Sequence, residues 1–196
     1  MRCQSQIRAQ SIVELALLLP MLLLVVFAII EFGWLIFAYS TIAQATRNGA
    51  EVAAQLPPHQ SWLDLATNPP ENYPGLAADD CVNAIMVAVR SELTVIGEGI
   101  NDQRDIASAV TISYPSGAAT RNLDQRGPIE ITISYSVNGL TPLYSLLGMP
   151  EGVVMQVTQR RSLENLGRDP TRPKGVACAR DVADWLILHP PEGSRP

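Results

Sequence analysis

The chain has 196 residues and a formal net charge of −5, which leaves room for one domain of ordinary size plus an anchoring segment. Weak acidity without a basic stripe excludes nucleic acid as an expected partner. Hydrophobic residues make up 47% of the chain but concentrate between Leu15 and Tyr39, and the remainder has the composition of a folded soluble domain.

Met1 to Ala9 is polar and carries Arg2 and Arg8 with no acid. Leu15–Ile30 holds no charge, and the apolar character resumes after Glu31 and runs to Tyr39. At 1.5 Å per residue, Leu15–Tyr39 predicts a helix of about 37 Å, enough to cross a hydrocarbon core of about 30 Å. Basic residues before the span and none for several residues after it place the N-terminus inside. A cleaved secretory signal would show a shorter apolar run ending at a small-residue cut site. A lipoprotein signal would place its cysteine after the run, and Cys3 precedes it. A retained anchor is the reading that fits, in contact with membrane lipid. Pro20 lies inside the predicted helix and predicts a mild bend, or else a helix that starts there.

Two carboxylates bracket the uncharged stretch. An acid inside or at the edge of a bilayer segment costs about 2.5–3.5 kcal/mol on insertion scales, so it ordinarily has a partner. For Glu31 two readings stand: an intramembrane acid with a functional partner, or a group that sits at the outer headgroups or is protonated. Glu14, at the inner end, gains its meaning from its neighbours.

Beyond the apolar run, Ile42, Ala45, Gly49, Val52 and Leu56 recur at helical steps, and Pro57-Pro58 ends that helix. Residues 57–78 read as loop, rich in proline. Asp79 or Asp80 caps a second helix carrying Val82, Ile85, Met86, Val89, Leu93 and Ile96 on one stripe, closed by Gly97 or Gly99. Three strands follow. Ile106–Tyr114 alternates weakly. Ile129, Ile131, Ile133, Tyr135 and Val137 alternate cleanly with polar residues. Val153, Met155 and Val157 begin a third strand that reaches toward Leu163. The fold class is α+β: a long N-terminal helix leads into a domain in which a second helix packs on a small antiparallel sheet. Leu140–Met149, between the second and third strands, reads as a short helical turn or a partner-binding loop. Asp181–His189 reads as a short helix docked on the domain, with an exposed partner contact as the other reading.

The segments Arg8-Ala9-Gln10-Ser11-Ile12-Val13-Glu14 with Leu15–Pro20, then Ile29-Ile30-Glu31-Phe32-Gly33, then Ala45-Thr46-Arg47-Asn48-Gly49-Ala50-Glu51-Val52-Ala53-Ala54 resemble the start of TadE-like proteins, in that family's order and spacing. The resemblance covers about the first 55 residues. It implies a pseudopilin or minor pilin of the tight-adherence (Flp-type) branch of type IV pilus systems. The implied partners are a prepilin peptidase, other pilin and pseudopilin subunits, and the assembly machinery. Carried onto this chain, the peptidase cut falls between Ala9 and Gln10, making Glu14 the fifth residue of the product. Ala9 stands where the family usually has Gly, and Leu15 where an aromatic residue is common. The domain plan is then a cytoplasmic leader 1–9, a transmembrane and extended helix 10–56, an extracytoplasmic α+β domain 57–165 and a proline-rich tail 166–196. The implied place is the cytoplasmic (inner) membrane, single-pass, with the C-terminal domain outside.

Removal of the leader takes Cys3 away and leaves Cys81 and Cys178 in an oxidising space, where they form a disulfide or remain as two buried thiols. Their spacing matches no metal site. His59 and His189 both lie beside prolines, and the chain holds no G-x-S-x-G, H-E-x-x-H, C-x-x-C or phosphate-cradling glycine loop. No enzyme activity, cofactor or small-molecule substrate is expected. The alternative to a processed pseudopilin is an unprocessed, single-pass anchored binding or scaffold protein of a secretion or adhesion system.

Overall fold

In a computed structural model of the chain, the residues described are 3–96, 108–115, 128–141, 148, 152–164 and 178–190, with side chains of the first helix from Ile12 onward. Helix α1 is Cys3–Gln55 and passes through Pro20 as one helix, so it does not start at that proline. It closes with Leu56 donating its N–H to the Val52 carbonyl at 2.8 Å, and Pro57-Pro58 then denies the backbone any further helical donor.

The stretch expected as loop between Pro57 and Ala78 holds two helical pieces. Helix α2, Gln60–Thr67, buries Trp62 and Leu63, and a single 3-10 turn covers Leu76–Ala78. The Trp62 indole N–H donates to the Leu76 carbonyl at 3.0 Å, and its ring lies 5.2 Å from that of Tyr73. A fully buried tryptophan therefore holds a proline-rich segment in place, by apolar area and one hydrogen bond.

Helix α3, Asp80–Leu93, is capped by Asp79, whose carboxylate accepts the Val82 N–H at 3.1 Å. All six stripe residues from Val82 to Ile96 are buried. The expected glycine stop at Gly97 or Gly99 lies outside the described residues; α3 itself gives way at Thr94.

Strand β1 is Val110–Ser113, β2 is Pro128–Asn138 and β3 is Gly152–Ser162, in the order β1-β2-β3. The first strand is shorter than expected: Ser108 and Ala109 are helical, and Ile106 lies outside the described residues. β1 runs antiparallel to β2 with Val110 opposite Ile133 and Ile112 opposite Ile131, so four buried β-branched side chains meet on one face. β2 buries Ile129, Ile131, Ile133 and Val137 as its alternation predicts. β3, one edge of the sheet, buries only Val157 along its length. There Thr132 and Thr158 share a hydrogen bond at 2.9 Å, and Arg160 pairs with Glu130.

The chain divides into two units, Met1–Ala38 with Ser136–Val153, and Tyr39–Tyr135 with Val154–Pro196. In the second unit, α1, α3 and β2 converge on Gly49. A Cβ built on that glycine would lie 2.6 Å from a Val89 methyl and 3.8 Å from Ile131. Of the expected stripe Ile42, Ala45 and Gly49 are buried and Val52 and Leu56 half-buried, while Ala50 and Ala53 join the buried face; the small residues among these let the helix approach its neighbours closely. Gly49→Ala forces Val89 aside and is expected to cost about 1–3 kcal/mol by overpacking. A thermal melt of the detergent-solubilised protein reads this as a lowered Tm, and adding Val89→Ala should recover part of the loss.

Candidate functional site

The first unit holds the long apolar surface. Among the described residues one helix, Ile12–Gln55 of α1, is long and apolar enough to cross a membrane. Between Ile12 and Ile30 nearly every large side chain is exposed, from Leu15 and Leu17 to Ile29. A helix apolar on all sides fits a surrounding of hydrocarbon and not of water. Glu14 is exposed at one end of this stretch. Ala9 and Gln10 belong to α1, and their side chains lie outside the described residues.

Glu31, at the other end, is 7% exposed. Its carboxylate accepts the Leu140 N–H at 3.2 Å, the Thr141 N–H at 2.9 Å and the Thr141 hydroxyl at 2.7 Å. One turn further on, the Trp34 indole donates to the Asn138 carbonyl at 3.1 Å. The start of the β2–β3 connection is thus fastened to the helix by four hydrogen bonds. Three of them go to one carboxylate, and hydrogen bonds of that kind are the stronger class. The sequence marks Glu31 as an acid needing a partner. It does not mark Thr141, which lies 110 residues away. The available signal was the Asn138-Gly139 turn, whose following N–H groups need an acceptor once the strand ends. Of the rest of the expected Leu140–Met149 turn, Gly148 is described, in the left-handed region at φ 66°; Leu143, Tyr144, Leu146 and Leu147 lie outside the described residues.

With that geometry in view, the comparison with known families bears on α1. Residues 9–51 match the TadE-like protein family. The TadE-like stretch begins at Ala9 and ends at Glu51, so it contains both bracketing acids, the whole exposed surface and Gly49. Everything after α1 lies outside it. No curated protein and no solved structure matches the chain.

The second unit carries the cysteine pair. Cys81 and Cys178 are joined by a disulfide across a sequence separation of 97, and both are buried. Asp79 lies beside them. One carboxylate oxygen caps α3 through Val82, and the other accepts the Ala179 N–H at 2.6 Å. Burial pushes the Asp79 carboxyl above its ordinary 3.8, against the pull of the Ala179 and Val82 N–H groups, and Asp80 adds to the rise. Burial, helped by Asp79, also pushes the Tyr73 hydroxyl up to about 12. Asp79, Cys81 and Cys178 stand close enough to share an ion. The two sulfurs are instead bonded to each other, and both Asp79 oxygens accept backbone N–H groups.

The expected docked helix is α4, Val182–Leu188, capped by Asp181. The Trp185 indole donates to the Ala78 carbonyl at 3.1 Å, and the His189 ring stacks on Trp185 and reaches Asp80 at 3.3 Å. A disulfide, a shared carboxylate and two ring contacts therefore tie the C-terminal segment to the start of α3.

Two outcomes follow. Cys178→Ser opens a loop of about a hundred residues and is expected to lower stability by about 2–5 kcal/mol, read from the denaturant midpoint under non-reducing conditions. Because the folded Asp79 carboxyl is raised above 3.8, it favours the fold most when protonated, and that contribution is lost as pH rises from 3.8 through the raised value. Asp79→Asn cannot ionise. The stability of wild type minus that of the Asp79→Asn variant should therefore fall as pH climbs through this window, measured by urea denaturation at stepped pH.

Proposed function

We propose that this chain is a membrane-anchored, TadE-like pseudopilin or minor pilin that takes part in assembling a tight-adherence (Flp-type) pilus. The supporting observation is one coincidence. The TadE-like match over residues 9–51 falls on the helix whose apolar side chains the rest of the chain leaves uncovered from Ile12 to Ile30. The role is structural and not catalytic, and its partners are membrane lipid, a prepilin peptidase and the other subunits of the pilus machinery. The N-terminus faces the cytoplasm and the α+β domain lies outside the cytoplasmic membrane.

In this reading the peptidase cuts between Ala9 and Gln10. The new amine of Gln10 is a cation at the inner surface, and Glu14, one turn along the helix, is the acid that a neighbouring subunit's amine meets. At the edge of a low-dielectric layer such a pair is worth far more than in water, and each partner relieves the cost of leaving the other charge alone. Pairing sets the axial register while the apolar helices supply packing area.

Mass spectrometry of the protein extracted from membranes of cells that carry the peptidase should find Gln10 as the first residue. An intact start at Met1 or Arg2 in those cells would favour the unprocessed, anchored scaffold instead. Glu14→Ala should leave membrane insertion unchanged and reduce pilus formation at least tenfold, scored by counting fibres and by extraction of the membrane fraction.

A further inference from the structure

Glu31 does more than fasten a turn; it dates the point along α1 at which hydrocarbon must end. Both carboxylate oxygens are occupied by donors from Leu140 and Thr141, so the acid and the start of the β2–β3 connection occupy one layer. That layer holds peptide groups, a threonine hydroxyl and the Asn138 carbonyl that accepts from Trp34, and irregular backbone of this kind does not face lipid tails. The length agrees. From Ile12 to Ile30 the helix rises about 28 Å, close to the hydrocarbon thickness of about 30 Å, whereas a span continued to Tyr39 would be about 42 Å.

On the flank away from Glu31 the helix stays apolar. Phe32 is 66% and Phe37 46% exposed, while Ala38, on the flank of Glu31 and Trp34, is fully buried. Leu140, next to the clamped peptide, is 62% exposed. The Trp34 ring stands 5.8 Å from the Phe37 ring. An indole with its N–H bonded and its ring partly open is suited to the headgroup layer, where tryptophan concentrates. Phe32 on one side of the clamped flank, Trp34 with Phe37 on the other, and Leu140 beside the clamp form an apolar surround that continues from the exposed helix below it.

We propose that this surface is a lipid-contact site. The outer hydrocarbon boundary lies at Glu31, and the Asn138–Thr141 turn, held down by the Glu31 carboxylate, rests in the headgroup layer of the outer leaflet. The occupant is the phospholipid interface. The inference rests on the anchor reading above and adds a depth to it. Glu31 becomes a positioning residue: it fixes how far the anchor sinks by holding a polar turn against the helix where lipid tails end.

The test uses the full chain in vesicles of phosphatidylethanolamine and phosphatidylglycerol, with Cys3→Ser and a nitroxide on a single introduced cysteine. Val25→Cys is the deep reference and Val87→Cys, on the exposed side of α3, the aqueous one. Collision with a water-soluble nickel complex is compared with collision with oxygen. The label at Leu140→Cys should show nickel accessibility several-fold below that at position 87 and several-fold above that at position 25. Adding Glu31→Ala should raise it to the level of position 87, and Thr141→Val, which removes one of the three donors, should give a smaller rise. A label at position 140 that reads as fully aqueous or as deep as position 25 overturns the boundary while leaving the anchor intact. A label at position 25 that itself reads as aqueous overturns the anchor and the boundary together.

Discussion

A helix that is apolar on every side over one half and apolar on a single stripe over the other must change its surroundings somewhere along its length. In α1 that change begins at Glu31. Before it, side chains around the whole circumference are exposed; after Ala38 the stripe of Ile42, Ala45, Ala50 and Ala53 is buried. The two halves follow different rules. The first is long and apolar enough to cross a membrane and carries bulky leucines in every direction. The second is selected for close approach, and its small residues let α3 and β2 come within contact of Gly49. One continuous hydrogen-bonded rod serves both.

The elements with the strongest periodicity were the ones legible in the sequence. Six apolar residues at helical steps gave α3 its face, and the isoleucine alternation gave β2 its buried side, because each pattern repeats often enough to outweigh local noise. The alternation at Val153, Met155 and Val157 located β3, but only Val157 of the three is buried; Val153 is 36% exposed and Met155 half-buried. Helix α2 escaped because eight residues between proline pairs carry too few turns to show a period. It is held by one buried tryptophan, which composition alone does not distinguish from an exposed one.

The candidate site was legible only in part, and the reason is distance. Glu14 and Glu31 could be singled out because an acid beside an apolar run is costly wherever it lies. Two of the three groups that satisfy Glu31 are backbone N–H donors of a turn over a hundred residues later, and backbone donors leave no trace in residue identity; the third, the Thr141 hydroxyl, is one of many in the chain. Asp79 shows the same limit. Its role as the cap of α3 is local and readable, whereas its second bond, to Ala179, depends on a tail segment brought back by the fold. A single buried carboxylate thus starts a helix and closes the domain, and its raised protonation range is the cost of doing both away from water.

The disulfide has a mechanical corollary. Measured along covalent bonds, the route from Cys81 to the C-terminus passes through two sulfur atoms and not through the strands, because β1, β2 and β3 all lie between the two cysteines in sequence. The covalent path from α1 to the C-terminal end therefore runs through α2 and the start of α3 and bypasses all three strands. A pull carried along that path loads helix starts and two sulfur atoms before it reaches any strand backbone.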